Sequence, residues 1–205
     1  MPQVIGRGGS WPAARLIVTV RNRTPEILPN PANRKRFRPA ITSMNRAVGV
    51  RVTPDGSCDG TAYCWGYNWY GQLGDGARGV NGSDSSHDRL VPVAVSGGRT
   101  FTALVAGSHH TCGLATGGTA YCWGYNAYGQ LGDGTTGDGG NSADRSAPVA
   151  VSGGLTFASL VAGGNVTCGL VSGGTAYCWG YNQFGQLGDG TSTNRTVPVA
   201  VIRRA

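Results

Sequence analysis

With 205 residues the chain is long enough to bury a core as one domain, and 36 glycines beside only 4 phenylalanines point to short strands and many turns rather than long helices. The formal charge of +7 suggests nucleic acid only until it is divided: residues 1–50 hold nine of the 17 basic residues and one of the 10 acidic ones, leaving the remainder at −1. No apolar run approaches the roughly 18 residues that cross a bilayer, and Leu16 to Val20 is too short for the core of an export signal, so no membrane partner is expected.

Residues 1–50 show no apolar period. Prolines stand at 2, 12, 25, 29, 31 and 39, and Arg34, Lys35, Arg36 and Arg38 cluster positive charge without aromatic residues beyond Trp11 and Phe37. The segment reads as an irregular, disordered basic leader, and any contact with nucleic acid is expected to run through it. Sixteen arginines against one lysine, and nine aspartates against one glutamate, are a codon-usage bias without recognition content.

From residue 51 the pattern changes to repeats of approximate bounds 51–95, 96–151 and 152–205. Ala-Tyr-Cys-Trp-Gly-Tyr-Asn begins at Ala62, Ala120 and Ala176, and Gly-Gln-Leu-Gly-Asp-Gly follows two residues later each time. Short apolar runs bounded by glycine predict strands at Pro92–Val95, Phe101–Ala106, His110–Leu114 and Thr119–Gly124. They recur at Pro148–Val151, Phe157–Ala162, Thr167–Leu170, Thr175–Gly180 and Pro198–Val201. Four short strands per period make a propeller blade, with the first period only half present.

A recurring hairpin can be placed by symmetry. Cys112 to Cys122 is centred on Gly117 with a Thr-Gly-Gly loop, and Cys168 to Cys178 on Gly173, so each cysteine pair falls directly opposite across two antiparallel strands. Opposed residues there have Cα atoms about 4.5 Å apart, which a disulfide tolerates. Cys112 with Cys122 and Cys168 with Cys178 are therefore the favoured disulfides. Buried thiols and a zinc site from His110, Cys112 and Cys122 are the alternatives, the latter weakened because Val166 replaces His110 in the next copy. In the same register Pro54 falls opposite Cys64, which leaves Cys58 and Cys64 a poor pair. Disulfides favour an extracytoplasmic location although no export signal is seen.

Tyr-Cys-Trp-Gly-Tyr-Asn-x-x-Gly-Gln-Leu-Gly-Asp-Gly, preceded by His-Thr-Cys-Gly-Leu at 110–114 and followed by Pro-Val-Ala-Val, resembles the regulator of chromosome condensation repeat in a cysteine-bearing, bacterial form. The resemblance covers residues 54–205. It implies an all-β fold: about three four-stranded blades of an incomplete propeller, a ring normally seven-bladed, behind the irregular leader. It also implies open edges that self-association or further blades would close. Trp65, Trp123 and Trp179 then supply apolar area, and Asp75, Asp133 and Asp189 shape turns. Asp133, Asp138, Asn141 and Asp144 fit neither calcium-loop pattern, and no metal or cofactor is expected.

The copies differ most between Gly-Gln-Leu-Gly and the next Pro-Val, where the first two loops are longer than the third. Loops on a rigid scaffold are where binding concentrates. Ser83, Asp84, His87 and Arg89 in the first loop, and Thr135, Asp138, Asn141 and Arg145 in the second, are the candidate partner contacts. Trp69, aromatic in one copy only, is the candidate anchor. No nucleophile elbow, phosphate loop or metal helix is present, so no catalytic residue is assigned. The expected function is a non-catalytic scaffold that binds an unidentified protein. Family resemblance also raises a guanine-nucleotide-exchange-like or chromatin-associated regulator, and a secreted inhibitor or cell-surface accessory propeller.

Overall fold

The computed structural model describes residues 36–42, 46–52, 58–79, 86–137 and 142–202, of which 36–42, 46–52 and 58–59 contribute strand backbone. Among these described residues, twelve strands form three antiparallel four-stranded sheets. The first contains β1 (Arg36–Thr42), β2 (Arg46–Val52), β3 (Cys58–Gly66) and β4 (Arg89–Ala94). β5 (Phe101–Ala106), β6 (His110–Ala115), β7 (Ala120–Gly124) and β8 (Arg145–Ala150) form the second. The third is built of β9 (Phe157–Gly163), β10 (Val166–Val171), β11 (Ala176–Gly180) and β12 (Arg195–Ala200). Within each sheet the spatial order follows the chain, as in a propeller blade. The described residues contain no helix long and apolar enough to cross a membrane.

Two expectations are corrected. β1 and β2 lie before or across residue 51 and pair with each other and with β3, so the first sheet has its full four strands and begins at Arg36. The rest of the basic leader, residues 1–35, lies outside the described residues. Cys64 stands opposite Val48 rather than Pro54, because β3 starts as early as Cys58, itself opposite Val52.

The predicted hairpins are present in the predicted register. Cys112 faces Cys122 and Cys168 faces Cys178, each pair joined as a disulfide with Cα atoms 4.1 Å apart. Gly117 and Gly118 turn the first of these hairpins with φ of 89° and 86°, values that only glycine adopts without strain. Pro92, Pro148 and Pro198 sit in β4, β8 and β12, which are edge strands, where a missing N–H costs no ladder bond.

Among the described residues the core clusters lie between sheets. Ala62, Cys64, Leu73 and Val95 of the first pack against Phe101, Leu104 and Trp123 of the second. Cys112, Leu114, Ala120, Cys122 and Leu131 of the second pack against Phe157, Leu160 and Trp179 of the third. Gly113 and Gly169 let a ring of their own sheet lie flat over the strand: a Cβ at either would collide with Phe101 or Phe157. His110, considered as a zinc ligand, is fully buried at the second junction. Its Nε2 lies 2.8 Å from the Thr167 hydroxyl, whose own proton goes to the Gln130 carbonyl, so Nε2 is the donor.

The two disulfides differ in shelter. Cys112–Cys122 is sealed between the second and third sheets, whereas Cys168 is only half-buried on the far face of the third. In dilute solution a thiol reductant is expected to open Cys168–Cys178 first, read by alkylation and peptide mass mapping; equal labelling of both pairs would mean that the second junction opens freely.

Candidate functional site: the loop-bearing end

Because the strands alternate in direction, the β5–β6 turn and the β7–β8 loop leave the second sheet at one end, and the same holds for the other sheets. Loops 67–88, 125–144 and 181–194 carry the repeated motif there. Each is organised by a fully buried asparagine: Asn68, Asn126 and Asn182. Their Oδ1 accepts the backbone N–H of Leu73, Leu131 and Leu187 at 2.9, 3.0 and 2.9 Å. Their Nδ2 donates to Asp75, Asp133 and Asp189 at 3.1, 3.2 and 3.1 Å, and to the carbonyls of Ala77, Thr135 and Thr191. A buried amide with its partners in place fixes the loop it sits in.

The aspartates complete the frame. Asp75 binds Arg89, Asp133 binds Arg145 and Asp189 binds Arg195, at 2.8, 3.1 and 2.6 Å. Hydrogen bonds from Thr191, Arg195 and Asn182 outweigh desolvation and hold the Asp189 carboxyl at about 2. The backbone N–H of each asparagine is accepted at 2.8 Å by Asp88, Asp144 or Asn194, just before the last strand of its sheet. Variable residues therefore sit between fixed anchors.

This frame reassigns several candidate contacts. Arg89 and Arg145 spend their guanidinium groups on Asp75 and Asp133, and the Thr135 hydroxyl bonds Asp133 at 2.6 Å, so these three brace their own loops. Trp69 is half-buried with its ring against Gly79. His87 lies near the surface with its Nδ1 3.0 Å from the Ser86 hydroxyl. Ser83, Asp84, Asp138 and Asn141 fall outside the described residues.

Between the loops runs a feature that sequence reading treated as scaffold. Tyr70, Tyr125, Tyr128, Tyr181 and Phe184 form a continuous row across all three sheets, with successive ring centroids 4.6, 6.0, 4.9 and 6.2 Å apart. His109 caps it at the first junction, 5.1 Å from Tyr70. The four tyrosines are half-buried and Phe184 is 85% exposed. Burial, with Tyr128, Tyr70 and Asp144 nearby, raises the Tyr125 hydroxyl above its ordinary value. The signal was the recurrence of Tyr-Asn-x-Tyr, with Phe184 standing in for the last Tyr.

Among known proteins, a profile of the "Regulator of chromosome condensation (RCC1) repeat" matches residues 59–114, 117–170 and 173–203, and a second of the same description matches 101–130 and 157–186. Over 162 residues the chain is 35% identical to the ultraviolet-B receptor UVR8 of Arabidopsis thaliana, covering 76% of this chain and 33% of that protein. It is 30% identical over 97 residues to the probable E3 ubiquitin-protein ligase HERC4 of Homo sapiens, covering 46% of this chain and 9% of that protein. The chain thus spans a third or less of these relatives. Its fold matches yeast RCC1 (Prp20) in complex with Kap60 (TM-score 0.61, 21% identity, 79% of this chain and 36% of that one). It also matches human WBSCR16 (TM-score 0.58, 20% identity, 77% and 37%).

Asp144 carries a pH signature. Burial pushes its carboxyl from 3.8 up to about 6, against the opposing pull of the Asn126 N–H, Arg78 and Arg145, and its Oδ2 has no hydrogen-bond partner among the described residues. The fold therefore favours the protonated acid, and that stability, complete below pH 3.8, is lost as pH rises through 6. Asp144→Asn, which copies Asn194 of the third loop, is expected to match the parent near pH 4 and to exceed it by about 1–3 kcal/mol above pH 6, measured by denaturant titration. A difference independent of pH would refute this assignment.

Proposed function

Since the chain belongs to the regulator of chromosome condensation repeat family, we propose that it is a non-catalytic protein-binding module whose loop-bearing end docks a partner protein. The observation that carries this reading is the aromatic row. Tyrosine rings offer large contact area at little cost in conformational entropy, and rings held at junctions between packed sheets are already in place before a partner arrives. Phe184 ends the row at the third sheet as one anchor, and Trp69, next to Tyr70 in the chain, is the candidate anchor of the first loop. In support, yeast RCC1, which shares this fold, was solved bound to a protein, Kap60.

The partner's contact is apolar and aromatic in character, so its affinity depends weakly on salt. Contact through the basic leader would instead fall steeply with ionic strength. Because β1 starts at Arg36, the truncation that separates the two removes residues 1–35 and spares the first sheet.

The test is affinity capture from the source cell extract, repeated with Phe184→Ala, Tyr181→Ala and Trp69→Ala. A protein retained by the parent up to about 0.5 M salt is expected to be lost or weakened at least roughly tenfold by these changes, and to survive the truncation. Capture that depends on residues 1–35 and ignores the aromatic changes would overturn the reading.

A further inference from the structure

The two junctions inside the chain are built from one set of parts. At the first, the Gln72 carbonyl accepts the Trp123 indole N–H at 3.0 Å and the Thr111 hydroxyl at 2.8 Å. At the second, the Gln130 carbonyl accepts Trp179 at 3.0 Å and Thr167 at 2.9 Å. Gly74 and Gly132, with φ of 72° and 69°, let each loop lie flat on the indole: a Cβ there would stand 2.6 and 2.7 Å from Nε1.

The third sheet carries the accepting half of this junction on its far face. Gln186 is exposed, where Gln72 and Gln130 are 1% and 0% exposed. Leu170 is 42% exposed where its counterpart Leu114 is 6%, and Val161 is 64% exposed. Gly188 keeps the same left-handed conformation, φ 65°, with no indole among its neighbours. The first sheet carries the donating half: Trp65 is half-buried, where Trp123 and Trp179 are wholly buried, and Gly49 stands opposite Tyr63 as Gly113 does opposite Tyr121.

We propose that the far face of the third sheet docks the first sheet of a second copy of this chain, head to tail, with the Trp65 indole N–H donating to the Gln186 carbonyl. The occupant follows from continuity. The face would be covered as the second sheet's equivalent face is covered within the chain, by a sheet bearing the same tryptophan on its third strand. Ala47 stands opposite Trp65 where Thr111 stands opposite Trp123, so the junction between copies has one side-chain donor rather than two and is weaker than the internal ones. Its two surfaces differ, so association is heterologous: it closes into a ring where the rotation permits and otherwise extends. A docked copy also covers Cys168–Cys178.

Light scattering on the purified 205-residue chain over a concentration series tests this. The expected result is a concentration-dependent multiple of 21.1 kDa, accompanied by slower reduction of Cys168–Cys178 in the assembled form. Leu170→Glu and Trp65→Ala each block one surface. Each alone is expected to be monomeric, and their mixture to give a two-chain species, because one intact surface of each kind remains. Trp65→Phe, which removes the donor and keeps an aromatic ring, is expected to weaken assembly about tenfold while far-ultraviolet circular dichroism stays that of the parent. A monomer at every concentration up to about 100 µM, the range in which a micromolar interface would be filled, would overturn the proposal, as would assembly indifferent to Leu170→Glu. A monomer that pairs only with a blade from another protein would also refute the second copy as occupant.

Discussion

A single backbone carbonyl, that of Gln72 at one junction and Gln130 at the next, governs how the sheets go together. It accepts an indole N–H and a threonine hydroxyl from the following sheet where all three residues are buried, and an unmet donor there would cost a few kcal/mol. The loop must therefore reach over its neighbour at a fixed height and angle. That requirement accounts for the buried asparagine, the aspartate–arginine brace and the side chains of Gln72 and Gln130, whose Oε1 atoms bind the N–H of Tyr70 and Tyr128. What reads in the sequence as a conserved-looking motif of one repeat is, in space, the fastener of the next.

This arrangement separates rigidity from variation. Each long loop is tied at its start by Asn68, Asn126 or Asn182 and at its end by Asp88, Asp144 or Asn194, so residues inserted between those ties alter neither the strands nor the junction. The aromatic row stays in place for the same reason, since Tyr70 and Tyr128 lie inside the tied segment. Aromatic rings are thus common to all copies, while the residues around them differ.

Much of this was legible in the residues. The symmetric arms around Gly117 fixed the hairpin and the opposition of Cys112 with Cys122, because side-chain period and turn length together leave one register. β1 was hidden because Arg36, Arg38 and Pro39 break the apolar pattern of an edge strand whose pairing is set by β2. Arg89 and Arg145 were read as contacts, although Arg-x-x-Pro opens the final strand of each sheet, Arg195 included, at a fixed distance from the proline however long the loop; that constancy marks a structural role. The row of rings was beyond sequence reasoning for a different reason. Tyr70 meets Tyr125 from another sheet, and only the packing of sheets brings them together.

The disulfides have a consequence for the history of such chains. Both pairs close inside their own hairpin, ten positions apart, and no described bridge links one sheet to another. A hairpin of this kind can oxidise as soon as it enters an oxidising compartment, without waiting for its neighbours. A gene segment encoding one unit can be copied or deleted without orphaning a sulfur. Cross-links confined to the unit leave the number of units free to drift.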